Sequence, residues 1–124
     1  SRQMSTLERR GKPHCLRRFA NRQEAISVLA DALDRQRRDA REKLANRPYW
    51  SNTGSVEIEV LNEIEAIIAR TSEECSNADA FVAACHEGLA TLCDRLRSTA
   101  FDADGYGLGT VYAVQRALEG NEVT

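Results

Sequence analysis

The side chains best suited to metal or redox chemistry in this 124-residue chain are four cysteines, Cys15, Cys75, Cys85 and Cys93, and two histidines, His14 and His86. Zinc sites announce themselves in sequence as ligand pairs a few residues apart, because one turn must deliver two ligands to a tetrahedral ion. No two cysteines here stand in a CxxC pair, and each histidine directly adjoins a cysteine instead of lying at ligand spacing. Cys85 and Cys93 share one helical stretch, and eight positions separate them. That is about 12 Å by rise alone, whereas a disulfide needs Cα atoms within about 7 Å. A bond between these two is excluded. The cysteines read as buried free thiols that pack as small apolar side chains, with a zinc site assembled from distant positions as the alternative. We expect no metal and no cofactor.

Asp102, Asp104 and Gly105, in STAFDADGYGLG, suggest a calcium loop until the register is checked. With Asp102 at loop position one, Gly107 falls at six, but Tyr106 takes five and Ala113 takes twelve. With Gly105 at six, Ala100 takes one and Val111 takes twelve. Neither register supplies the bidentate glutamate that closes the ion's shell. Gly105, Gly107 and Gly109 also miss the dinucleotide spacing, and no strand precedes them. No serine or cysteine has a recognisable histidine and acid arrangement, although such triads need not be local in sequence. The chain is not expected to be an enzyme.

If these residues do no chemistry, packing and charge must explain the helices that carry them. The rest of the chain is organised around Asn77 to Leu96, NADAFVAACHEGLATLCDRL. Phe81, Cys85, Leu89, Leu92 and Leu96 recur at helical spacing, with Ala78 opening the row and Val82 and Cys93 widening it. Asn77 can cap the first turn, and Asp79 sits where the helix dipole favours an acid. So broad a stripe is either the core face of a bundle or a dimer face, and we expect a homodimer.

Asn21 and Glu24 resemble a capping box, and Ile26, Leu29, Leu33, Ala40 and Leu44 form a seam. Pro48 stops this first helix by disfavouring α conformation in the residue before it, which predicts a helix over 21–46. The connection RPYWSNTGS follows, with Tyr49 and the only tryptophan, Trp50, side by side. Val56, Ile58 and Val60 alternate with Glu57 and Glu59 as a strand would, but Leu61, Ile64, Ile67 and Ile68 continue at helical spacing. The pattern predicts a second helix over 56–70. Leu108, Val111, Tyr112, Gln115 and Leu118 predict a last one over 108–119, with Gly120 where a helix end prefers glycine. The fold class is all-α: three to four helices in a small bundle, one domain over 21–124, behind a flexible basic arm over 1–20. Arg2, Arg9, Arg10, Lys12, Arg17 and Arg18 face a single acid there, Glu8, and Gly11 and Pro13 oppose a helix.

The net charge of −2 hides a split: residues 1–47 hold 13 basic and 6 acidic side chains, residues 48–124 hold 4 and 13. Either the basic half meets an anionic partner, or the halves neutralise each other in the fold. An antiparallel hairpin of the first two helices would set Glu57, Glu59, Glu63 and Glu65 against Arg37, Arg38, Arg41 and Lys43. Of 17 basic residues only Lys12 and Lys43 are lysine, which suggests a GC-rich bacterial coding sequence. No apolar run approaches the roughly 20 residues that cross a bilayer, so we expect a cytoplasmic protein.

The long Arg-rich helix NRQEAISVLADALDRQRRDAREKL and the apolar helix FVAACHEGLATLC resemble those of the small helical anti-activators that silence LuxR-type quorum-sensing regulators. The resemblance covers the general make-up of residues 21–120 and includes no signature motif. It implies a helical dimer that binds the transcriptional regulator and blocks its dimerisation, with DNA binding lost as a consequence. The partner-binding candidates come from the residues themselves. Arg37, Arg38, Arg41, Tyr49 and Trp50 combine the types that dominate interface hot spots. Two alternatives stay open: a nucleic-acid-associated protein using the arm and the Arg-rich first helix, or an antitoxin-like or phage-like helical partner subunit.

Overall fold

Residues 16–46, 51–98 and 106–120 are described by a computed structural model, and within them the chain forms four α-helices and no strand. These are α1 (Arg22–Ala45), α2 (Ser51–Glu74), α3 (Ala78–Arg97) and α4 (Tyr106–Ala117). Each helix packs against the other three, so the all-α bundle inferred from periodicity is the observed architecture. None of the helices among the described residues is long and apolar enough to cross a membrane.

Local signals set most helix ends. Asn21 caps α1, its side chain accepting from the Glu24 N–H at 2.9 Å, and Glu24 Oε1 reaches back to the Ala20 N–H at 2.8 Å. Asn77 does the same for α3, accepting from the Ala80 N–H. The largest departure from expectation is α2, which starts at Ser51 instead of Val56 and ends at Glu74 instead of Arg70. Positions 56–60 are helical throughout, so their alternation is no strand. Gly54, taken from sequence for part of a polar turn, lies inside the helix because α1 passes over it. A Cβ at Gly54 would stand 2.6 Å from the Ala40 carbonyl oxygen and 3.1 Å from Leu44. Tertiary contact here overrides the poor helix propensity of glycine. At the far end the helix runs on through TSEE, where the Thr71 hydroxyl donates to the Ile67 carbonyl at 2.7 Å.

The core runs along α3. Phe81, Cys85, Leu89 and Cys93 are fully buried, against Leu29 of α1, Leu61 and Ile64 of α2, and Val111, Val114 and Leu118 around α4. Leu92 is 2 % exposed. Leu96, at the end of the stripe, is only partly buried. Each buried Leu or Phe removed from water contributes on the order of 1.5–3 kcal/mol. Residues 16–20, counted above as part of a flexible arm, lie against the bundle. Phe19 is buried, Arg17 stacks over its ring at 4.7 Å, and the Arg17 N–H donates to the Leu118 carbonyl at 2.8 Å. Residues 1–15 of the expected arm lie outside the described residues.

Candidate functional site

Of the five partner-binding candidates, three are in described parts of the chain and α1 divides them. Arg37 faces α2, where its guanidinium donates to Glu65 at 2.5 Å and to the Asn62 side chain at 3.4 Å. Lys43, nearly two turns further along, contacts Glu57 at 2.9 Å and Asp39 at 3.2 Å. Glu57 is itself 8 % exposed. Desolvation draws the Lys43 pKa down, but the hydrogen bonds and charges of Glu57 and Asp39 outweigh it and leave it raised. Part of the charge split between the two halves is thus cancelled internally. Arg38 and Arg41 are exposed and make no ion pair among the described residues. Tyr49 and Trp50 lie outside the described residues.

The apolar stripe of α3 sits inside its own chain. Phe81, Cys85, Leu89 and Leu92 are core residues, so the surface that suggested a homodimer is already covered, and any second copy would use another face. Cys75, Cys85 and Cys93 are free thiols; Cys15 and His14 lie outside the described residues. Burial pushes the Cys85 thiol up to about 12, against a smaller opposing effect of the Thr71 hydroxyl. Such a thiol is a poor nucleophile and a poor metal ligand at neutral pH. Among the described residues no three His, Cys, Asp or Glu side chains converge as a metal site.

Two polar features escaped the sequence reading. His86 is 1 % exposed, and its Nε2 lies 2.8 Å from Glu119 Oε2. That contact spans 33 residues, and no local pattern announces it. Gln115, taken for part of the apolar face of the last helix, is indeed buried, but its Nε2 has no hydrogen-bond partner among the described residues. The sequence signal was available in this case: an amide within an apolar row.

Among the described residues, grooves open between neighbouring helices. One, of about 430 Å³, runs between α2 and α3 past Ile67, Arg70, Gly88 and Thr91, and the Glu63–Arg95 ion pair crosses it. Another, of about 280 Å³, lies between α1 and α2 and is lined by Ile26, Leu29, Ala30, Leu33, Ile68 and Ala69, with Glu65 and Ser72 at its edges. No catalytic constellation adjoins either groove among the described residues. No protein-family model, curated protein or solved structure matches this chain. The fold and surface together define a class: a small all-α protein, with four packed helices among the described residues, whose surface offers grooves and charge.

Proposed function

We propose that this protein works by binding another protein, a transcriptional regulator of the LuxR type, and inhibits it by blocking its dimerisation and so its DNA binding. One observation carries the binding part of this reading. Arg38 and Arg41 are exposed and form no ion pair among the described residues, on the helix that precedes Tyr49 and Trp50 in the sequence. Exposed arginines followed in the sequence by aromatic residues suit a protein surface with an apolar pocket and an acidic rim. The same helix favours protein over nucleic acid. Asp31, Asp34 and Glu42 are exposed alongside Arg35, Arg38 and Arg41, and a phosphate backbone calls for a one-signed basic stripe. Arg37, held by Glu65, drops out of the contact set.

The test uses the purified protein and a LuxR-type regulator on its own operator DNA. Gel retardation should show the regulator released as the protein is added, and gel filtration should show its dimer replaced by a mixed complex. Trp50→Ala should weaken that complex by about 2 kcal/mol or more, with circular dichroism confirming the fold. Reversing Arg38 and Arg41 to Glu should chiefly slow association and change its salt dependence. A regulator that stays dimeric and DNA-bound at every concentration sinks the proposal. Direct retardation of DNA by the protein alone would hand the function to the nucleic-acid alternative.

A further inference from the structure

The groove between α1 and α2 has walls, a floor and ends. At one end Arg22 of α1 donates to the Ser72 and Cys75 carbonyls at 2.5 and 3.0 Å. At the other, Arg37 crosses to Glu65 and Asn62. Between these two crossings α1 rises about 22 Å, at about 1.5 Å per residue. Over that length the facing sides are apolar. Ile26 and Ile68 are half-exposed, and Ala30 and Ala69 are exposed. An enclosed space of about 150 Å³ holds a benzene ring, and the open groove, at about 280 Å³, has room for two side chains smaller than that.

The free charge on the rim has one sign. Asp34 lies one turn beyond Ala30 and Glu73 one turn beyond Ala69; both are exposed, and neither forms an ion pair among the described residues. The two cations at the groove are spoken for, Arg37 by Glu65 and Arg22 by backbone carbonyls. A second copy laid face to face would bring these acids against their own kind, which is destabilising. A helix with basic flanks would meet them with opposite charge.

We infer that the α1–α2 groove is a docking site for a basic amphipathic helix of another protein, seating two apolar side chains beside Ala30 and Ala69 while its Lys or Arg residues reach Asp34 and Glu73. This inference does not depend on the regulator reading. Recognition follows the helix-in-groove mode, with anchors at i, i+3 or i+4, and i+7.

The probes are fluorescent helical peptides of about four turns, with leucine at the anchor positions and either lysine or glutamate at the flanks. Fluorescence anisotropy on the full chain should show the lysine peptide binding about tenfold or more tightly than the glutamate one, a preference that added salt reduces. Ala69→Arg should abolish binding by placing a long cation in the groove. Asp34→Lys combined with Glu73→Lys should remove the preference. Ala69 is exposed, so Ala69→Arg should fold normally; if it does not, Ala30→Lys makes the same test from the opposite wall. Equal binding of both peptides, no binding of either, or full binding by the folded groove variants overturns the inference. So does a homodimer that Ala69→Arg dissociates, since a second copy would then fill the groove.

Discussion

The two ends of the α1–α2 pair use small residues to opposite effect. At one end Ala40 is fully buried against Gly54, with α2 so close that a Cβ on the glycine would strike the Ala40 carbonyl. At the other, Ala30 and Ala69 are exposed along a groove. Each end has an alanine on α1, and the difference lies on α2, in glycine against alanine and in what the flanking side chains do. Beside the closed end Lys43 reaches a nearly buried Glu57. At the open end the helices are spanned by a half-buried Arg37 on the exposed Glu65 and by Arg22 on carbonyls. A pair of helices can thus be sealed and open within one length, and sequence spacing alone does not say which end is which.

The contrast breaks first at Gly54. Gly54→Ala should cost about 3 kcal/mol, because the clashing atom is backbone and cannot rotate away. Ala69→Leu at the open end should change stability by no more than about 0.5 kcal/mol. Urea denaturation midpoints of the two variants give the comparison directly. Similar losses at both ends would mean that the ends are equally packed.

Next comes Lys43. Lys43→Met leaves Glu57 without its partner, at a cost of about 1–2 kcal/mol, while Arg37→Met should cost at most about 1 kcal/mol because its partner is half-exposed. The pH dependence has a definite sign. The folded pKa of Lys43 is raised above 10.5, so its contribution is complete below 10.5 and fades as pH rises through the folded value. Cys85 behaves likewise, its thiol moved from 9.0 to about 12; the unfolded chain ionises first, and stability falls across that interval. Thermal melts from pH 8 to 11 should show the wild type losing more than Lys43→Met, which retains only the thiol's share. A smaller gain is expected at Gln115. Gln115→Met removes a buried amide donor without a partner among the described residues and should stabilise the protein by about 1 kcal/mol, read as a rise in melting temperature.

Much of the fold was legible because period and caps are local. Asn21 and Asn77 marked two helix starts, and the Phe81–Cys85–Leu89–Leu92 row marked the core. The start of α2 was not legible, because SNTGS has the composition of a turn and is helical only through its contact with α1. The buried state of the α3 row was legible, but its partner was not: a wide stripe reads the same whether three helices or a second copy covers it. On the surface, Arg37 and Arg41 look equivalent in sequence. Only the direction of α2 makes one an internal bridge and leaves the other free. The groove was invisible for a related reason, since Ala30 and Ala69 gain meaning only when two helices run side by side.

The bond from Arg17 to Leu118 joins residues 101 positions apart. During synthesis Phe19 emerges early, but its segment can be tied to the end of α4 only after residue 118 has left the ribosome. At about 5–20 residues per second that leaves the segment waiting several seconds while three helices form behind it. The bundle therefore closes like a clasp, with the end of α4 holding the segment that precedes α1. An interruption of translation within α4 would release a chain with much of its interior assembled and the segment around Phe19 not yet tied down.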